Sequence, residues 1–376
     1  MKSLLKILRI TGIIFVSLAL LVTIMITAFV NLSPQFGGQP SEYQQKDFED
    51  SGHYKDGKFQ NQIPTSMELG FTKTVSLIGD MFFSRGKARR PGEPLPMEKI
   101  DPENVAYNAR DIGRLTWFGH SACLLEIDGR KILFDPMLGQ NAGPLPWMSP
   151  QRFNRELPIE IEALPFIDAV LISHDHYDHL DYGSIKKLKE KVGMFYVPLG
   201  VGAHLRAWGV KDENISELNW WDEVQFKGFT FICAPARHFS GRGLSKNITL
   251  WCSWIIQSSE QRFYFSGDSG YGPHFREIGE KYGPIDFVMM ECGQYNELWH
   301  NIHLMPEETV QATLDVKGKL LLPIHWGAFT LSLHSWTDPI TRVTAEADKV
   351  RLQVTTPKIG EPVLLDYKKV PVSKWW

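Results

Sequence analysis

Within six positions, His174-Asp175-His176-Tyr177-Asp178-His179, the chain carries three imidazoles and the Asp178 carboxylate in the spacing H-x-H-x-D-H. Imidazole nitrogens and carboxylate oxygens are the ligands that zinc and similar transition metals take. In extended backbone, residues i and i+2 point the same way, so His174 and His176 can grip one ion. Where the chain turns toward a helix, Asp178 and His179 swing to a different angle and can reach a second ion. The chemistry this implies is metal-assisted hydrolysis, in which the ions make water nucleophilic and stabilise charge on the attacked group.

Three further candidates stand where apolar runs stop, the place where α/β folds present their site residues. His238 follows the run 229–235, Asp268 follows 263–267, and His325 follows 320–324. With His174, His176, Asp178 and His179 they make seven ligands, enough for two ions if Asp268 bridges. His174, His176 and His238 are then expected on one ion, and Asp178, His179 and His325 on the other. Asp135 is expected to orient a ligand imidazole through a hydrogen bond. The glycines around Asp268 fit neither phosphate-loop pattern and are read as letting the backbone bend tightly.

The elements that must position these side chains follow from the patterning. The run 169–172 before the cluster is apolar and ends abruptly in polar residues, as a buried strand does. Short strands are also expected at 115–118, 123–127, 131–134 and 194–197, and in the second half at 229–234, 250–257, 262–266, 287–291 and 320–324. Helices are expected at 182–192, 201–208, 273–282, from 305, and at 339–351, the one from 305 opened by Pro306, Glu307 and Glu308. Strands followed by mixed α/β, twice over, predict two sheets packed face to face with helices outside, a four-layer α/β arrangement.

The remainder of the chain sets bounds. A formal charge of −3 and a pI near 6.5 argue against a nucleic-acid partner, which requires a basic face. Cys123, Cys233, Cys252 and Cys292 form no CxxC pair and are expected as buried free thiols. Lys2, Lys6 and Arg9 precede an uncharged run, 10–30, long enough to span a bilayer. The chain is therefore read as a single-pass anchor over 1–30, with the body on the extracytoplasmic side. Residues 31–110 are read as linker and N-terminal extension with one short helix within 67–83, and 111–376 as the catalytic domain.

The H-x-H-x-D-H cluster, His238, Gly267-Asp268-Ser269-Gly270 and Ile324-His325-Trp326-Gly327 resemble the metallo-β-lactamase superfamily. Within it the chain most resembles the N-acyl-phosphatidylethanolamine phospholipase D family and its bacterial relatives. Thr116-Trp117-Phe118-Gly119-His120, Phe134-Asp135-Pro136, Ser149-Pro150-Gln151-Arg152-Phe153 and Pro306-Glu307-Glu308 carry that closer likeness. The resemblance implies the αββα metallo-β-lactamase sandwich and two divalent metal ions, zinc first, iron or manganese next. It also implies a phospholipase D-like phosphodiesterase working through a metal-bridging hydroxide, with a lactonase or other ester hydrolase as the second reading. Asp178 and Asp268 are expected to take part in the reaction beside His303, which the family places in catalysis; the residues alone allow a helix-start histidine. His120 matches a family position and is expected to support a ligand rather than be one. One departure stands out: Glu291-Cys292-Gly293-Gln294-Tyr295-Asn296 replaces the Pro-x-Gly-Ala-Tyr-like segment of the animal enzymes.

Overall fold

The computed structural model describes residues 2–66, 79, 88–106 and 112–376; the helix expected within 67–83 lies outside them apart from residue 79. The chain opens with α1 (Lys2–Leu32), α2 (Glu42–Glu49), a two-stranded ribbon of β1 (Tyr54–Lys55) and β2 (Lys58–Phe59), and α3 (Pro102–Ala106). One seven-stranded sheet follows from β3 (Arg114–Trp117), β4 (Cys123–Ile127), β5 (Arg130–Phe134), β6 (Ile167–Leu171), β7 (Val192–Pro198) and β8 (Ile215–Leu218), closed at its β3 edge by β16 (Pro362–Leu364). Its helices are α4 (Tyr182–Leu188) and α5 (Gly202–Ala207). The second seven-stranded sheet holds β9 (Glu223–Phe226), β10 (Phe229–Ala234), β11 (Ser253–Gln257), β12 (Arg262–Phe265), β13 (Ile285–Glu291), β14 (Gly318–Ile324) and β15 (Gln353–Val354) in sequential order. Against it lie α6 (His274–Tyr282), α7 (Pro306–Asp315) and α8 (Asp338–Val350). The four-layer αββα metallo-β-lactamase sandwich expected from the sequence is the fold observed.

The pleat sorts side chains between layers. Leu125, Phe134 and Leu171 join Phe231, Trp254 and Phe265 in the core between the sheets. Their neighbours Leu124, Leu133 and Val170 face outward and join Ile185, Leu188 and Leu205 of the helices. Both faces of these strands are covered, which is why they read as continuous apolar runs.

β5, β6 and β7 are parallel, and β3 runs with them because β3–β4 and β4–β5 are both antiparallel. In the other sheet β12, β13 and β14 are parallel, and β10 runs with them by the same double reversal through β11. The C-terminal ends of these strands meet at one edge of the sandwich. There the backbone crosses between sheets: His120 N–H donates to Trp326 O at 2.8 Å, His325 N–H to His120 O at 2.9 Å, and Cys252 N–H to Ser173 O at 2.9 Å.

Several expectations shift. The helix expected to run to residue 192 stops at Leu188, passes through a 3₁₀ turn and yields Val192 to β7. The strand expected from 250 starts at Ser253. β8, β9, β15 and β16 were not anticipated. Part of the stretch read as linker lies on the body: Phe48 and Phe59 are buried in the main core, and Ser41 and Gln44 form a capping box on α2. All four cysteines are buried and unpaired, as expected. α1 exposes apolar side chains all round, and Ser3–Leu32 is long and apolar enough to cross a membrane, a property signal sequences share.

Candidate metal centre

The edge where the strands end collects the predicted side chains. Just beyond β3 comes His120, beyond β5 Asp135, and beyond β6 the His174–His179 loop. The second sheet adds His238 after β10, Asp268 after β12, Glu291 at the end of β13 and His325 after β14. His120, Asp135 and His325 hold left-handed backbone, φ 55°, 35° and 67°, which costs energy in a residue with a Cβ and clusters at functional sites.

Two groups form. His174 Nε2 lies 2.9 Å from His176 Nδ1, and His238 Nε2 lies 3.2 Å from the same atom. Opposite them, Asp178 Oδ2 is 3.3 Å from His325 Nε2 and 3.5 Å from His179 Nε2. Asp268 stands between. Its Oδ2 is 3.8 Å from both His174 Nε2 and His238 Nε2 and 3.4 Å from His325 Nε2, while Oδ1 is 3.1 Å from His179 Nε2. All seven predicted ligands therefore meet in one pit.

The tautomers fit coordination. His238 Nδ1 donates to Ile302 O at 2.8 Å and His179 Nδ1 to Asp135 Oδ2 at 2.7 Å, so in neutral rings both Nε2 atoms carry lone pairs. His179 Nε2 and Asp268 Oδ1 are buried without a hydrogen-bond partner although they face each other. A lone pair aimed at a carboxylate in a buried site is costly unless positive charge lies between them, either a proton on the ring or a metal ion. Four-residue groups, His174-His176-His238-Asp268 and His120-Asp178-His179-His325, each bring donor atoms within 4.8 Å of one another. The donor set fits divalent metal ions.

Electrostatics say the same. Burial opposes ionisation of Asp178 and Asp268, yet the imidazoles around them, His179 first, hold both carboxyls well below their usual range. Burial also pushes His179 down, but Asp268 and Asp178 outweigh it and hold the ring well above its ordinary value; His325 is pushed up to about 10 in the same way. On the other side burial and neighbouring imidazoles hold His174 well below the ordinary value, and burial lowers His176 and His238 against the pull of nearby carboxylates. The pit thus demands positive charge, and half of it is lined by rings kept neutral for coordination.

Asp135 makes the hydrogen bond to an imidazole that was expected, and besides His179 it accepts from Ser173 N–H at 2.7 Å and Ser173 Oγ at 2.5 Å. His120 Nε2 lies 2.9 Å from Asp178 Oδ2, and burial pushes its ring down to about 3. His303 stands at the rim, its side chain 12% exposed, with Nδ1 4.0 Å from Asp268 Oδ2. Two contributors were missed. Asn61 brackets the backbone of His238, donating to its carbonyl at 2.7 Å and accepting from its N–H at 3.1 Å. Glu291 is buried, with Oε2 2.8 Å from His303 Nδ1. Four other histidines have partners of their own: His53 with Asn219, His204 with Asp175, His274 with Ser269 and His334 with Gln294 N–H.

The β-lactamase superfamily domain model matches residues 130–326, a span holding the pit except for His120. The chain belongs to the metallo-β-lactamase superfamily. An uncharacterized protein of Mycobacterium tuberculosis is 44% identical over 322 residues, covering 84% of this chain and 85% of that protein. The N-acyl-phosphatidylethanolamine-hydrolyzing phospholipase D 1 of Caenorhabditis elegans is 34% identical over 229 residues, 57% of this chain and 64% of the worm protein. This chain therefore matches less than two thirds of that enzyme's length. Among solved structures, an isothiocyanate hydrolase from Delia radicum gut bacteria superposes with TM-score 0.54 at 20% identity, over 70% of this chain and all of that one, a likeness of fold alone. Membership of the superfamily makes this protein a metal-dependent hydrolase, and the superfamily implies divalent metal ions.

Proposed function

We propose that the protein is a dinuclear phosphodiesterase of phospholipase D type, acting on N-acyl-phosphatidylethanolamine-like phospholipids. The observation that carries this reading is Asp268 standing between two imidazole groups, with His303 at the rim above it. His174, His176 and His238 would hold one ion, Asp178, His179 and His325 the other, and Asp268 both; zinc suits these ligands first, iron or manganese next. Bound there, the ions supply Lewis acidity and a nucleophilic water at neutral pH. Asp135 fixes the His179 tautomer, and Asp178 and Asp268 keep negative charge in the pit. His303, its Nδ1 turned to Glu291, offers Nε2 to protonate the departing alkoxide as the phosphorus–oxygen bond breaks.

The phospholipid substrate is supported by the named worm relative and by the apolar helix Ser3–Leu32, read as an anchor with the body beyond the membrane. The net charge of −3 speaks against nucleic acid. The test presents the full chain in mixed micelles with N-acylated phosphatidylethanolamine beside a homoserine lactone. Release of phosphatidic acid and N-acylethanolamine, lost on chelation, is expected. Turnover of the lactone alone would replace this reading with the ester-hydrolase one.

A further inference from the structure

Glu291 falls in the segment where the sequence departs from the animal pattern, and the structure gives that departure a job. The side chain is fully buried at the end of β13. Its Oε1 accepts from Ser269 N–H at 2.6 Å and from Leu304 N–H at 3.3 Å. Ser269 directly follows Asp268, and Leu304 directly follows His303. Its Oε2 lies 2.8 Å from His303 Nδ1 and 3.2 Å from His325 Nδ1. His325 meanwhile turns Nε2 toward Asp178 and Asp268, at 3.3 Å and 3.4 Å. The rings of His303 and His325 stack with centroids 5.1 Å apart and planes 20° apart, edge-on to one shared carboxylate.

We infer that Glu291 is a positioning residue that locks two imidazoles together. It stands behind His325, on the side away from the pit, where a carboxylate orients a metal-holding histidine and raises its basicity. The same oxygen takes the Nδ1–H of His303, so the ring at the rim is held in register with the ring in the pit. The two backbone N–H groups on Oε1 fix the carboxylate itself and tie it to the residues beside Asp268 and His303. Three hydrogen bonds satisfy the buried acid and its Oε2 also lies 3.2 Å from His325 Nδ1, so one carboxylate organises both the ligand and the proton donor.

Asp268, Glu291, His303 and His325 also bring donor atoms within 4.8 Å, which raises the rival reading of Glu291 as a ligand to a further ion. That reading requires both rings to surrender Nδ1–H facing a carboxylate whose other oxygen already serves two N–H groups.

The inference rests on the two-ion reading above, and the experiment separates the two. Full-length wild type and the variants Glu291→Gln, Glu291→Ala, His303→Ala and Glu291→Gln/His303→Ala are stripped of metal and titrated with zinc. Bound ions per chain, affinity for each, circular dichroism, and kcat and KM on bis(p-nitrophenyl) phosphate are read. For Glu291→Gln the expected result is a wild-type fold and an unchanged first ion. Affinity for the second ion falls roughly 10–100-fold, the usual cost of losing a partner behind a ligand. Its kcat falls while KM holds. His303→Ala keeps both ion affinities and loses kcat, and the double variant loses less kcat than the product of the singles. Second-ion affinity and kcat within twofold of wild type in both Glu291 variants would overturn the inference. So would three ions in wild type and two in Glu291→Gln, which makes Glu291 a ligand. Fewer than two ions in wild type would instead sink the metal assignment from which it starts.

Discussion

Asp268 is the residue on which the two halves of the pit depend, because one of its oxygens faces His179 and the other faces His174, His238 and His325. Asp268→Ala should abolish metal-dependent hydrolysis of bis(p-nitrophenyl) phosphate, by more than the roughly 10–100-fold that loss of an outer partner costs. It should also lower the number of ions bound per chain. Activity that survived this change would show the pit is not the reaction centre. At this scale the sequence was informative wherever ligand types were packed tightly or followed an apolar run. Glu291 obeys the second rule as well as His325 does, since it closes β13 in register with Ile324, the last residue of β14 and the neighbour of His325. Its signal is weak because a single carboxylate closing a strand reads as the strand's last residue. Asn61 had no such signal: it acts through the backbone of His238 from 177 positions away, and nothing local marks that.

The loop after β6 supplies four of the seven candidate ligands, and Asp175 is its internal brace. Its carboxylate accepts from Gly241 N–H at 2.7 Å and Thr249 Oγ1 at 2.9 Å, and lies 3.2 Å from His204 Nε2. Burial opposes its ionisation, but the hydrogen bond and charge of His204, the charge of His176 and the Gly241 N–H hold it well below the usual carboxylate range. A depressed folded value adds stability that is complete above the unfolded value, about 4, and drains away as pH falls below it. Asp175→Asn should therefore lower stability near neutral pH and flatten the acid limb of a denaturation series below about pH 4. An acid limb of unchanged steepness would remove Asp175 from this role. Elements buried on both faces, β5 and β6 among them, were legible as apolar runs. The edge strands were not: Glu223–Phe226 alternates exposed with half-buried positions, and Gln353–Val354 is two residues long. Pairing with a neighbour, rather than composition, makes such segments strands.

For the whole molecule, metal and fold should be linked. The pit joins strand ends from both sheets, so an ion bound there holds the sandwich closed and binds the unfolded chain poorly. Chelation should lower Tm, and returning zinc should restore it in proportion to the logarithm of its free concentration; a ligand at about 100 times its Kd adds roughly 2.7 kcal/mol. A melting curve indifferent to chelator would mean that no ion bridges the sheets. The layered architecture was readable from strand order and helix placement. The seating of the N-terminal segment was not, because its contacts, Phe48 and Phe59 in the core and Asn61 on His238 among them, are made with residues far away in sequence.

That seating has a mechanical outcome. Arg242 reaches Gln35 O through Nε and Nη2 at 2.9 Å and 2.7 Å, and through Nη1 it holds Asp175 O and Leu180 O, each at 2.7 Å. Only two residues, Ser33 and Pro34, separate the last helical position, Leu32, from that clasp, a leash no longer than about 11 Å at full stretch. If α1 lodges in a bilayer, so short a leash should hold the hydrolase close to its surface instead of on a long cord. Arg242 then links the foot of that helix to both ends of the loop that bears His174, His176, Asp178 and His179.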